Sequence, residues 1–162
     1  MAASKINGMD TFQTQFENLA REIGKINRGA LGSAAGLVAD EMKAALEALP
    51  THEEGQWGTE TNKLYGVTPS EKEQLINALG IAPFRGTTDI DTAIGFHGYV
   101  ETPSNRFNDH VPAGMLMQCI EYGTSFRQGT HTLTGVMKKL KTEAVKAAQD
   151  YIDTETQKIM EV

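Results

Sequence analysis

A chain of 162 residues is long enough for one domain with its own core, whereas two independent cores would each be small. It is 40% hydrophobic and 22% charged, as soluble globular proteins are, and no apolar run approaches the ~20 residues that cross a bilayer. The formal net charge of -6 disfavours nucleic-acid binding by bulk electrostatics, because neutralising phosphates takes clustered Lys and Arg.

The opening Met1-Ala2-Ala3-Ser4-Lys5-Ile6 has no apolar stretch of signal-peptide length after its charged residue, so export by that route is not expected and synthesis in the cytoplasm is. Phe12, Phe16, Leu19, Ile23 and Ile26 then recur at steps of four and three, one face of an amphipathic helix. Asp10 is the expected cap, with Gln13 three residues on as in a capping box, so the helix should begin near residue 11. Asn27-Arg28-Gly29 interrupts the phase, and Leu31, Ala35, Val38, Met42, Ala45 and Leu49 resume it. Gly29 either separates two helices or kinks one, and Pro50 stops the series.

Residues 51–67 are polar and glycine-containing, which reads as a loop with one short strand and Trp57 as a local anchor. Thr68-Pro69-Ser70-Glu71 combines a capping threonine, a proline at the first helical position and a glutamate completing the box. The helix it opens carries Leu75, Ile76 and Leu79, and Gly80 can end it in the left-handed conformation. Ile90, Thr92, Ile94 and Phe96 alternate with polar or small residues, the period of a half-buried strand. Its backbone needs partners, for which 56–65 and 98–101 are the candidates, giving a small antiparallel sheet. After a polar loop, Thr102 to His110, Pro112 opens a helix with Met115, Leu116, Cys119 and Ile120 on its core face and Gly123 at its end. Leu133, Val136, Leu140, Ala144, Ala147 and Tyr151 make one face of a long terminal helix running towards Ile159.

Side chains that could carry chemistry are scattered. His52, His97, His110 and His131 show no spacing that would place two imidazoles on one helical face for a metal, so no metal site is expected. His97, opposite the apolar strand face, should meet solvent or a partner. Asp89 and Asp91 share a strand face but have no acid–base partner nearby in sequence, and Cys119 has the helical spacing of a small core residue. A lone cysteine forms no intrachain disulfide. The glycine pairs Gly29/Gly32 and Gly95/Gly98 match no phosphate-binding fingerprint, so no cofactor is expected. Glu121 sits at a helix C-terminus, unfavourable for a carboxylate, which calls for a specific partner: a structural salt bridge or an intersubunit contact. Lys138, Lys139, Lys141 and Lys146 form the basic cluster, read as a solvated helix face or as a docking face for an acidic neighbour.

Gly95-Phe96-His97-Gly98-Tyr99, followed by Ile120-Glu121-Tyr122-Gly123-Thr124-Ser125-Phe126-Arg127, resembles the tail-completion and head-tail joining proteins of long-tailed bacteriophages. Tyr65-Gly66-Val67-Thr68-Pro69 and Leu79-Gly80-Ile81-Ala82-Pro83 extend the resemblance upstream, so that it covers residues 30–150 in order and spacing. It implies a single α+β domain, a small antiparallel β-sheet packed against long N- and C-terminal helices, with 30–162 as the tail-completion-like core and 1–29 as a helix that can be an extension. The implied role is structural and not enzymatic: a virion protein of the neck, a homo-oligomeric ring around the DNA channel, hexameric if it matches a sixfold tail tube. Its implied partners are the connector or head-completion proteins and the tail-tube or tail-terminator proteins, with DNA passing without sequence-specific binding and no membrane. A tail terminator capping the tube is the alternative from the same assembly, and a small cytoplasmic enzyme using Cys119 or Asp91 the alternative from another class. The expected subunit or partner contacts are Glu121, Tyr122, Thr124, Phe126, Arg127, Lys138 and Lys139, since aromatics and arginine are enriched at interface centres. Relatives enter the last helix through a proline turn, and here Thr130-His131-Thr132-Leu133 stands instead, which leaves that helix's orientation open.

Overall fold

The first amphipathic pattern forms one unbroken helix, α1 (Met9–Glu47), in a computed structural model that describes residues 9–87, 89–102 and 107–161. The Met1–Ile6 segment and the middle of the 102–110 loop lie outside the described residues. Gly29 neither separates two helices nor ends one. A Cβ there would lie 2.4 Å from ring carbons of Tyr151, so the missing side chain is what lets the terminal helix approach. The capping box at Asp10 is not formed either. Asp10 lies inside the helix, its carbonyl accepts from the Thr14 hydroxyl at 2.9 Å, and Gln13 donates forward to Glu17 at 3.2 Å.

Helix α2 (Pro69–Ala78) starts at the predicted box. The Glu71 amide donates to Thr68 Oγ1 and the Thr68 amide donates to Glu71 Oε2, both at 3.1 Å. Its end differs from expectation. Leu79 turns extended, and Gly80 enters strand β1 (Leu79–Ile81) opposite Gly95, with no left-handed cap. The partner of β2 (Ile94–Phe96) is therefore β1, antiparallel, and neither 56–65 nor 98–101. The pair continues irregularly, Ala82 donating to the Ala93 carbonyl at 2.7 Å and Arg85 bridging Asp91. Strand β3 (Tyr99–Glu101) pairs with β4 (His110–Pro112) in a second antiparallel ribbon, so two ribbons of two strands replace the single sheet. Residues 51–67 form no regular strand, only bridges from Thr51 to Val67 and from Leu64 to Arg127, and Trp57 is 74% exposed and anchors nothing.

Helix α3 (Ala113–Tyr122) buries Ala113, Leu116, Met117 and Ile120, while Met115 points outward and Cys119 is half-buried. Helix α4 (Thr132–Met160) runs antiparallel to α1: its first half packs on Val38 and Met42, Tyr151 on Gly29, and the Met160 carbonyl accepts from Gln15. The chain is thus α+β, with long N- and C-terminal helices framing the ribbons.

Two regions differ in how much they bury. The main core joins Leu46 and Leu49 of the α1 end to Val67, Leu75, Val100 and the α3 face, and a satellite of Val38, Met42 and Leu140 continues it between the long helices. Beyond that the α1–α4 hairpin becomes an arm. Among the described residues, none ahead of Ile26 is buried, and Phe12, Phe16 and Ile23 are 55%, 54% and 53% exposed. The amphipathic face of α1 exists, but this subunit covers only its Leu19 and Ile26 side. On α4 the expected core series narrows to Leu140, with Leu133, Val136, Ala144, Ala147 and Tyr151 half-buried.

Leu140→Ala removes a buried side chain and should cost about 2–5 kcal/mol, a large share of a domain's ~5–15 kcal/mol. Lys139→Glu, on the exposed face one residue away, should change stability by less than ~0.5 kcal/mol. Thermal melts of the two variants check the orientation of α4.

Candidate functional site

The turn between α3 and α4 holds most of the residues expected to mediate contacts, and its construction decides which of them are free to do so. Gly123, at φ 82°, caps α3 and donates to the Cys119 carbonyl at 2.9 Å. Its positive φ and the close backbone of Gly129 and Arg127, 2.8 and 2.9 Å from where a Cβ would lie, require glycine. Thr124 then shapes a tight reversal, its hydroxyl accepting from the amides of Phe126 at 3.2 Å and Arg127 at 3.0 Å. The reversal sends the two following side chains in opposite directions.

Arg127 goes inward. Its guanidinium donates to the Gly66 carbonyl at 3.0 Å and reaches the Glu71 carboxylate at 3.2 Å, with side-chain exposures of 16% for Arg127 and 3% for Glu71. Glu71 also takes the Thr102 hydroxyl at 2.7 Å and the Thr68 amide, so its carboxylate joins the start of α2, the end of β3 and the 121–127 turn. Backbone bonds from Leu64 to Phe126 O at 2.9 Å and from Gln128 to Leu64 O at 2.7 Å close the same junction. Arg127 is therefore an internal clamp, with the remainder of its side chain on the cleft that it shares with Phe126 and Trp57.

Glu121 is also internal, 4% exposed, and among the described residues it makes no salt bridge. Its Oε2 accepts from the Leu133 amide at 3.0 Å and its Oε1 from the Thr134 amide at 2.8 Å, which are free amides of the first turn of α4. His131, the residue in the cap position, is left-handed at φ 52° and offers no side-chain cap. The carboxylate at the end of one helix so caps the start of the next, where the positive end of the α4 dipole favours it. In return, the Thr130 and His131 amides donate to the Ile120 and Glu121 carbonyls at 2.9 and 3.1 Å. This exchange orients α4 without the proline turn.

Burial alone would raise the Glu121 carboxyl, but the hydrogen bonds from Thr134 and Leu133 and the nearby His131 outweigh it and hold the group below its ordinary 4.5.

The exposed members of the expected set are Tyr122, Thr124, Phe126, Lys138 and Lys139. Tyr122, 69% exposed, stands edge-on to His131 at 6.3 Å. Phe126, 57% exposed, shares a shallow cleft of about 340 Å³ with Trp57, Leu64 and His52. Lys138 and Lys141 stand, with Tyr122, beside an apolar groove of about 880 Å³ between α1, β2, α3 and α4. Tyr122 thus borders the groove with the lysines, while Phe126 borders the cleft with Trp57. His97, Asp89 and Asp91 are exposed, and among the described residues no three His, Cys, Asp or Glu side chains converge to hold a metal ion. Among the described residues no helix is long and apolar enough to cross a membrane. No known family, no curated protein and no solved structure matches the chain.

Because the Glu121 pKa is lower folded than unfolded, the cap stabilises fully above about pH 4.5 and its contribution is lost as the pH falls through the folded value. Glu121→Ala should cost about 1–2 kcal/mol at neutral pH, and melts in acid should show its deficit against wild type shrinking.

Arg127→Ala strands a buried carboxylate and should cost about 3–5 kcal/mol, a loss Arg127→Lys only partly restores because the paired fork is gone. Phe126→Ala should leave the denaturation midpoint nearly unchanged. Chemical denaturation of the three variants separates clamp from surface.

Proposed function

We propose that this chain is a structural subunit of a long-tailed phage neck, joining the tail to the DNA-filled head as a homo-oligomeric ring around the DNA channel. The observation that carries the reading is the quantity of large apolar side chain left outside the subunit's own core: Phe12, Phe16, Trp57, Tyr99, Tyr122 and Phe126 are each more than half exposed. Single surface hydrophobics need no explanation, but clustered ones, such as the Phe12–Phe16 pair or Trp57 beside Phe126, are what association surfaces look like. A ring subunit needs self-complementary edges on two sides of the molecule, since closure repeats one heterologous contact by rotation.

The ordered resemblance supports the same reading, and several of its residues have architectural work in this subunit. Gly123 and Thr124 make the turn, Glu121 caps α4 and Arg127 clamps Glu71, so the motif specifies the shape that presents Tyr122 and Phe126. In this reading Lys138 and Lys139 belong to a docking face for an acidic neighbour, and sixfold symmetry would match a tail tube. The net charge of -6 suits a channel through which DNA slides without sticking.

Deleting the gene should leave DNA-filled heads beside separate tails, or particles with defective joints, scored by electron microscopy of lysates. Normal infectious particles from a clean deletion would refute the role.

A further inference from the structure

Two apolar surfaces, an exposed stripe and a groove above the satellite core, lie towards opposite ends of α1. The first is convex. Phe12, Phe16 and Ile23 stand on one side of the arm, the two rings 5.0 Å apart, and more than half of each side chain meets solvent. The second is concave: the groove of about 880 Å³, with Val38, Ile94 and Phe96 among its apolar lining and Met137, Lys138 and Lys141 on the α4 side. Helices that bind proteins commonly lay such an i, i+4 series of apolar anchors into a groove of this kind.

The stripe cannot fill the groove of its own subunit. Both belong to one unbroken helix, and Phe12 and Val38 are separated along it by about 39 Å at 1.5 Å per residue. An occupant presenting this stripe is therefore a second copy. Charge favours the same match. Glu17 follows Phe16 and Glu22 precedes Ile23, which at about 100° per residue places a carboxylate on each flank of the stripe. Each is held in an exposed ion pair on its own helix, with Arg21 at 3.9 Å and Lys25 at 3.3 Å, and such pairs exchange partners at little cost. Lys138 and Lys141 at the groove make no ion pair within the subunit among the described residues. The arm also gains most from being covered, because its own core ahead of Ile26 holds no buried side chain among the described residues.

We propose that Phe12, Phe16 and Ile23 of one copy insert into the groove lined by Val38, Ile94, Phe96 and Met137 of the next, a heterologous contact that repeats from subunit to subunit. The contact rests on the assembly reading above and gives that reading its subunit interface. Lys138 and Lys141 are then read by the neighbour's Glu17 and Glu22 and not by a different protein.

Sedimentation velocity on the full chain tests it with two variants at exposed positions, Phe12→Glu/Phe16→Glu on the stripe and Met137→Glu at the groove. Circular dichroism and melting should show both folded like the wild type. Wild type should sediment as a multimer above the dimer, and each variant should weaken association at least about thirtyfold, as loss of an interface anchor does. The two variants mixed should form a one-to-one heterodimer, because the intact stripe of the Met137→Glu copy meets the intact groove of the other. A stripe variant that assembles like wild type, or a mixture that stays monomeric, overturns the contact and leaves the ring reading standing. A wild type that stops at a dimer while the mixture behaves as expected keeps the contact and overturns the ring. A wild type monomeric at every concentration overturns both.

Discussion

Glu71 and Glu121 are the buried charged residues of the described chain, and the packing of everything after α1 depends on how they are compensated. An isolated carboxylate at 3% or 4% exposure would cost several kcal/mol unless donors surround it. Both solve the problem the same way, at a helix N-terminus, where amides are left over and the dipole is positive. Glu71 caps its own helix, then takes the Thr102 hydroxyl and the Arg127 guanidinium. Glu121 caps a different helix from its own. The α3–α4 turn is thereby held from both ends, Glu121 fixing where α4 leaves and Arg127 tying the loop to α2. Losing the Glu121 carboxylate leaves the Leu133 and Thr134 amides without their acceptor, and losing that of Glu71 leaves the Thr68 amide and the Arg127 guanidinium without theirs.

That arrangement also divides the turn into a structural and a presented half. Glu121, Gly123, Thr124 and Arg127 have their hydrogen-bonding capacity committed inside the subunit, while Tyr122 and Phe126, which interleave with them, are turned to solvent. A loop built so rigidly loses little conformational entropy when its aromatics are buried by a partner. The cleft that Phe126 shares with Trp57 and His52 belongs to the same presented surface, and the Glu71–Arg127 clamp forms part of its lining. The buried Nε2 of His52 has no partner there among the described residues.

Local chemistry was legible from sequence, and non-local chemistry was not. The start of α2 could be read because threonine, proline and glutamate act on one another within four residues, and the ends of α1 and α3 because Pro50 and Gly123 act on their immediate neighbours. Gly29 stays undecided between a break and a single helix because glycine in a helical pattern signals weakness unless one knows that Tyr151, over a hundred residues away, needs the space. Gly80 suffered the same way, its role set by Gly95 across the ribbon. Glu121 was recognised as needing a partner, but two backbone amides of another helix leave no trace in the residue types that follow. Arg127 is expected at a contact because guanidinium groups are enriched at interface centres, and the carboxylate that draws it inward lies 56 residues earlier. The exposed Phe12 and Phe16 show the limit of periodicity: it identifies a face that wants covering, not which molecule covers it.

The arm follows from this last point. A hairpin of two helices with its apolar side half covered gains little from its own packing, so its order depends on what it touches. A chain under selection only for a stable monomer would place polar residues at Phe12, Phe16 and Ile23, as it does on the α1 face carrying Glu17, Arg21 and Lys25. Keeping three large apolar groups in solvent on an otherwise well-charged helix is coherent if the same helix, some seven turns later, supplies the wall of a groove that receives them. The distance between the two surfaces then sets the offset between successive copies, and the length of α1 becomes a dimension of the assembly as well as of the fold.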